Sequence, residues 1–276
     1  MHTTTHKSKD KAGQGRLQVV TSNGCEQPSA PPWLTLLEGL GGFGQQVVQA
    51  AKHRDLDEAA NVRIQVMDID GSHAAAYAPG AFIHLGDVPV HQVLAKLRID
   101  PEAYSGLRYR IGDLDQLYQA MRASDDLSRG ALQDRPLGII GVDVTLEQQG
   151  YHIESQMMQP LYQLYRYASQ LCLTGNGSHG PGHLRSPLIQ RIAFSAGGGA
   201  GSAMALVMAY LHSHHRRKFG IRPVFVEAVV ALPALFPIED PEYILANSYA
   251  LLLEMMAAYQ KPQPPLTYSS IGQVQR

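Results

Sequence analysis

Residues 33–44 read Trp-Leu-Thr-Leu-Leu-Glu-Gly-Leu-Gly-Gly-Phe-Gly, and residues 192–202 read Ile-Ala-Phe-Ser-Ala-Gly-Gly-Gly-Ala-Gly-Ser. In each stretch a short apolar run (Trp33–Leu37, Ile192–Phe194) meets a glycine cluster that leads into a helix-like pattern. A chain that turns sharply without Cβ atoms at a helix N-terminus offers free N–H groups and a positive dipole end to an anion. One such turn is a common accident. Two in one chain suggest that both ends of a polyphosphate are held, which points to a nucleotide-binding α/β protein.

Outward from the first cluster, Gln45–His53 reads as a helix with Val47, Val48 and Ala51 on one face. Asn61–Met67 reads as a strand ending in Asp68-Ile69-Asp70-Gly71, so a right-handed β-α-β unit covers about residues 33–70. His91–Leu97 and Leu114–Met121 are helix candidates. Leu137–Val144 is apolar and β-branched, so propensity predicts a strand, with a helix start as the alternative. Ser155–Leu171 repeats Met158, Leu161, Leu164, Tyr165 and Ala168 at helical steps. Thr174–Pro187 reads as a loop and Gln190–Phe194 as a strand. Gly201–Lys218 reads as a helix stopped by Gly220. Pro223–Leu232 reads as a buried strand and Tyr243–Tyr259 as a final helix. Alternating helices and strands predict a doubly wound, mostly parallel sheet with helices on both faces. Residues 1–31 read as a disordered tail, 32–260 as one nucleotide-binding domain and 261–276 as a C-terminal tail.

The 276 residues are 45% apolar and 17% charged, enough for a buried core, and the net charge is −1. No general basic field draws the chain to nucleic acid or to an anionic membrane. Cys25 and Cys172 lie far apart, which supports no disulfide framework or cysteine metal site, and a cytoplasmic location is expected. Lys7, Lys9 and Lys11 are followed by no apolar stretch, so no secretory signal is read.

Gly39-x-Gly41-x-x-Gly44 fits the dinucleotide fingerprint, with Asp68 and Asp70 where a ribose-binding carboxylate belongs. That reading, an NAD(P)-binding oxidoreductase, leaves the second cluster unexplained. No Gly-x4-Gly-Lys-Ser/Thr phosphate loop occurs. Ser195 and Ser202 lack the Gly-x-Ser-x-Gly elbow of a hydrolase.

The run Ser195-Ala196-Gly197-Gly198-Gly199-Ala200-Gly201-Ser202-Ala203 resembles the signature loop of the tubulin/FtsZ superfamily. The first cluster with Gln45 resembles that family's first phosphate loop, and Asp68-Ile69-Asp70 sits where its second loop approaches magnesium. Gly130-Ala131-Leu132-Gln133 resembles the loop that senses the γ-phosphate. Ala231-Leu232-Pro233, Asp240-Pro241-Glu242-Tyr243 and Ala246-Asn247 resemble the stretch that contacts ribose. These segments follow family order across roughly residues 33–259, and are most similar to divergent bacterial tubulin-like proteins. The resemblance implies GTP or GDP with Mg2+, and head-to-tail association with itself or another tubulin-like chain. It assigns Gly41, Gly42 and Gly44 to the α/β phosphates, and Gly197, Gly198, Gly199, Ala200 and Gly201 to the β/γ phosphates, with a hydroxyl from Ser202. Gly130 and Ala131 also fall in the site. Asp68 or Asp70 would aid magnesium, and Asn247 with Glu242 would orient the ribose or base.

Three departures from the family limit the expected chemistry. Ala200 stands where the family usually has Thr, and Leu132 replaces a Gly. The family's second domain carries the acidic loop that completes hydrolysis; if these 276 residues are the whole protein and not a fragment of a longer reading frame, that loop is missing and GTPase activity is expected to be weak or absent. A non-catalytic interaction module is therefore a second reading. Simpler roles exist for single residues: a tight β-α turn for Gly39–Gly44, helix N-caps for Asp70, Asp68 and Asn247, and core filling for Met157, Met158, Met255 and Met256. His212, His214 and His215, beside Arg216 and Arg217, read as a polar helix end whose cations face the dipole, with no carboxylate nearby, in preference to a metal site. His179 and His183 read as solvated.

Overall fold

The computed structural model describes residues 33–104, 107–111, 130–131, 133–174, 187–219, 225–235, 241–260, 266–268 and 271–274, with Asp113, Asp115, Leu117, Tyr118 and Leu127 as single positions. The tail 1–31, most of Leu114–Met121, Leu132, residues 175–186 with His179 and His183, Gly220 and Asp240 lie outside the described residues. So do the side chains of Cys172, Arg216, Arg217 and Lys218.

Strand β1 (Leu34–Leu40) alternates toward two helical layers. Helix α1 (Gly41–Lys52) returns on one face and β2 (Val62–Asp68) pairs parallel to β1. A short β3 (Phe82–His84) extends that edge, followed by α2 (Val90–Ile99) and α3 (Leu107–Ile111). A 40-residue helix α4 (Arg135–Thr174) bends at Gln149 and leads to β4 (Leu188–Ser195), α5 (Gly199–Phe219), β5 (Phe225–Ala231) and α6 (Pro241–Gln260). The main sheet has the order β3-β2-β1-β4-β5 and is parallel throughout. An all-parallel sheet needs cover on both faces. Val48 of α1 packs on Val66 from one side, and Met158, Leu161 and Leu164 of α4 pack on Leu34, Leu36 and Leu188 from the other. Each fully buried Leu contributes roughly 1.5–3 kcal/mol of transfer free energy.

Register decides where a site can form. Leu40 lies level with Met67 and Phe194, so β1, β2 and β4 end together and hand the chain to their following turns at one edge of the sheet. Both helices start inside the glycine clusters, at Gly41 and Gly199, several residues earlier for α1 than the polar pattern suggests.

Leu137–Val144 is helix, not strand. Asp134 Oδ1 accepts the Leu137 N–H at 3.1 Å and starts α4. Ile139, Ile140, Val142 and Val144 are then wholly buried, since this half of α4 is enclosed on all sides. An all-round apolar segment hides its period, and β-branched residues tip a propensity reading toward strand. Gly138 lets α4 approach the second cluster, because a Cβ there would meet Gly199 O at 2.5 Å. Farther along, Pro160 cannot donate to Gln156 O. Gln65 Nε2 donates to that carbonyl instead, at 2.9 Å.

Two further expectations change. The strand read as buried is β5, an edge strand whose residues Phe225 to Val229 are exposed. The C-terminal stretch 261–276 holds a hairpin of β6 (Leu266–Tyr268) and β7 (Gly272–Val274). Buried Tyr268 donates its hydroxyl to Asp143 at 3.1 Å, beside the ion pair of Asp143 with Arg110.

Candidate functional site

An open cleft of about 310 Å³ lies where β1, β2 and β4 end. It brings together Gly42, Asp68, Asp70, Gly130, Ala131 and the run Gly197–Gly201. The two glycine-started helices converge on it: a Cβ on Gly41, whose φ is +67°, would come within 2.7 Å of Gly201 N. Two helix N-termini at this separation superpose their positive dipole ends.

The glycines divide by role. Gly39, Gly44, Gly197, Gly199 and Gly201 are packing positions, because a Cβ at each would meet a neighbouring atom at 2.9 Å or less. At Gly42 a Cβ meets nothing within 4 Å, and at Gly198 its nearest neighbour is Ser195 Cβ at 3.5 Å. These two positions open into the cleft. Several of the residues expected to touch a ligand thus shape the wall that two others present.

Ser195 ends β4 and its Oγ accepts the N–H groups of Gly197 (3.2 Å) and Gly198 (3.1 Å). The carbonyls of the same loop are drawn the other way. Ser202 Oγ donates to Gly198 O, and Asn247 Nδ2 donates to Gly197 O at 3.0 Å. Asn247 Nδ2 also reaches Gln133 O at 2.6 Å, steadying a residue whose φ of +66° is uncommon for a non-glycine side chain. Ser202 and Asn247 therefore hold the loop from behind, and neither lines the cleft. An anion that takes the Gly197 and Gly198 donors must share them with the Ser195 hydroxyl.

Asp68 and Asp70 behave differently. Asp68 is buried, with Oδ2 accepting from Gln45 Nε2 at 2.5 Å and Oδ1 from Ile69 N at 2.7 Å. Burial pushes its carboxyl above the ordinary range, against the opposing pull of the Asp70, Gln45 and Ile69 hydrogen bonds. Asp70 caps the 3-10 turn Gly71–Ala76 through Ser72 N at 2.9 Å. Its slight burial raises the carboxyl, but the Ser72 bonds with His73 and His84 outweigh this and leave it below the usual value. Among the described residues no group of three or more His, Cys, Asp or Glu side chains is arranged to hold a metal by itself. A cation here would be shared with a ligand or water, as magnesium prefers.

Of the other expected site residues, Gln45 sits beneath the cleft on Asp68, while Gln46 lines it. Glu242, in the first turn of α6, is exposed and does not line the cleft. Phe43, Gln133, Ser195 and Ile244 line it without having been singled out as contacts. Helical phase could have found Gln46, four residues after Gly42 and so on its face. No sequence signal marks Ile244. The histidine reading is corrected: His212 and His215 turn inward and lie beside carboxylates, His212 Nε2 2.9 Å from Glu38 Oε1 and His215 Nε2 3.3 Å from Glu154 Oε1.

The Asp68 shift carries a stability prediction. The folded carboxyl keeps its proton to higher pH than the unfolded one, so stability falls as pH rises from the ordinary carboxylate value through the raised folded value. Asp68→Asn removes that charge, keeps an oxygen for Ile69 N, and lets its Nδ2 donate to Gln45 once the Gln45 amide turns its Oε1 inward. It is expected to raise the thermal midpoint of the ligand-free protein at neutral pH, and to flatten its pH dependence. Scanning calorimetry at several pH values checks this, and a lower midpoint at neutral pH would contradict it.

No protein-family model matches the chain, and no curated protein matches it.

Proposed function

We propose that the chain binds a nucleoside di- or triphosphate as its magnesium complex, with guanine as the base and weak or absent hydrolysis of its own. The observation that carries this reading is the convergence of two glycine-started helix N-termini on one cleft that holds two carboxylates and, among the described residues, no basic side chain in its lining. Backbone donors suit phosphate oxygens. Two carboxylates repel a bare polyphosphate, and a divalent cation between them and the phosphates reverses that sign. The lining residues thus fit a phosphate–metal pair better than either alone. Guanine, the tubulin/FtsZ relationship and head-to-tail association rest on the sequence resemblance.

A dinucleotide reading keeps one observation in its favour. The strand order and the glycine turn after β1 match the dinucleotide-binding arrangement. Against it, both oxygens of Asp68 accept hydrogen bonds within the protein and are poorly placed to take ribose hydroxyls. Calorimetric titration of the full chain with GTP, ATP and NADH, each with and without Mg2+, separates the readings. Binding of GTP that weakens at least about tenfold in EDTA, or roughly 1.4 kcal/mol, is the expected result. Binding of NADH indifferent to Mg2+ would replace this reading with the dinucleotide one. No heat from any ligand in a folded sample would leave the interaction-module reading.

A further inference from the structure

Eighteen large apolar side chains are exposed among the described residues, and thirteen of them fall between Phe225 and Tyr259, on β5, α6 and the turn that joins them. The distribution is therefore a surface and not scatter. Helix α6 buries Ile244, Asn247, Ser248 and Leu251 toward α5, and its other sides carry Tyr249, Leu252, Leu253 and Met256 to solvent. A helix apolar on every side is built to be enclosed. Among the described residues, strand β5 pairs with β4 along one side only, and it exposes side chains on both of its faces, with Phe225 at 50%, Val226 at 49% and Val229 at 43%. An open, apolar edge strand is a template for another strand. The chain's own described hairpin does not serve, since β6–β7 packs on α4 and α5.

We propose that β5 and α6 form the interface between two copies of this chain, with the β5 strands paired antiparallel about a two-fold axis. Size supports it: thirteen large side chains about half exposed offer on the order of 1,000 Å², more than the ~800 Å² each partner gives to a standard interface and above the usual largest patch on a monomer. Charge supports a self-complementary contact. Residues 225–235 and 241–260 hold no Lys, Arg or His, and two of their three carboxylates are already neutralised, Glu227 by Arg191 and Glu254 by Arg135. A two-fold axis through Ala228, the middle of β5, sets Glu227 opposite Val229 of the second copy and Val226 opposite Val230. No like charges then face each other, and the same patch serves both subunits, as two-fold symmetry requires.

This register makes a signed prediction. Val229→Glu places two carboxylates opposite each other at both symmetric positions, whereas Val229→Lys places a cation opposite Glu227. Sedimentation of the full chain over two decades of concentration should show a species of twice the 30.1 kDa chain mass. Val229→Glu should weaken its self-association at least tenfold, and Val229→Lys should retain it. Far-UV circular dichroism checks the fold. Should Val229→Glu lose helical signal, Ala228→Glu, which opposes two carboxylates at the axis itself, replaces it with the same expected loss. A wild-type chain that stays monomeric overturns the proposal, as does a dimer equally affected by the Glu and Lys substitutions. Both readings are independent of nucleotide, so the outcome does not depend on the ligand of the cleft.

Discussion

Gly198→Val is expected to lower affinity for the magnesium–nucleotide complex by at least about a hundredfold, roughly 2.7 kcal/mol, while the ligand-free protein unfolds within about 0.5 kcal/mol of wild type. The two halves of this expectation come from one geometric fact. A Cβ at Gly198 makes only ordinary contacts, with Ser195 Cβ at 3.5 Å and Ser195 Oγ at 3.6 Å, so the backbone admits it. The valine branches then occupy cleft volume that a phosphate oxygen needs. Gly44→Ala is the control of opposite character. Its Cβ would lie 2.5 Å from Gly39 C and 2.6 Å from Ala193 O, which are backbone atoms of β1 and β4 and cannot rotate away. Overpacking of this kind costs about 1–3 kcal/mol or more, so this variant should lose stability first. Titration calorimetry and urea unfolding of both variants test the pair. A folded Gly198→Val protein with unchanged affinity would remove the second glycine loop from the site.

That contrast also shows how far the sequence reads. A glycine run reports that Cβ atoms are unwelcome, but not why. In Gly39–Gly44 and Gly197–Gly201 most of the demand comes from helix-to-strand and helix-to-helix packing, and of the glycines that line the cleft in these two runs only Gly42 and Gly198 have room for a Cβ. The β-α-β start, the parallel sheet and the two strand-to-helix turns were legible because apolar period and glycine punctuation agree there, although both helices begin earlier, inside the glycine clusters. Leu137–Val144 was not, because burial on every side erases the period that separates helix from strand. The exposure of β5 was illegible for the reverse reason: Phe225 to Val230 read as core, and composition cannot distinguish a strand buried in the fold from one left at its edge. Gln45 and Gln46 differ only in helical phase, which composition does not fix: Gln45 turns beneath the cleft to Asp68, and Gln46 lines it.

Removal of His212 is expected to give the largest loss of stability, and the cause lies outside the cleft. Glu38 is wholly buried in the middle of the sheet, 2.9 Å from His212 Nε2 and 2.6 Å from Gln190 Nε2. An ionisable group so placed survives by its partners. Taking one partner away leaves a buried polar or charged group uncompensated, at a cost of about 3–5 kcal/mol. His212→Leu should therefore lower the free energy of unfolding by about that amount, a large share of the ~5–15 kcal/mol that a domain has in total. Glu38→Leu alone should be costly as well, since it strands both His212 and the Gln190 amide. The double substitution leaves only Gln190 to be resatisfied, so its loss should fall short of the sum of the two singles by more than about 1 kcal/mol, the signature of a direct coupling. Urea unfolding of the three variants measures the cycle. Strictly additive losses would mean that the pair is held by its surroundings, and a His212→Leu loss below about 1 kcal/mol would mean that Gln190 alone satisfies Glu38. The consequence reaches the cleft because Glu38 directly precedes Gly39, and α5 carries His212 on the same rigid body that begins at Gly199. The buried pair thus ties together the two elements whose N-termini meet at the cleft. A variant that keeps its fold but loosens this tie should bind the magnesium–nucleotide complex more weakly without any change to a lining residue.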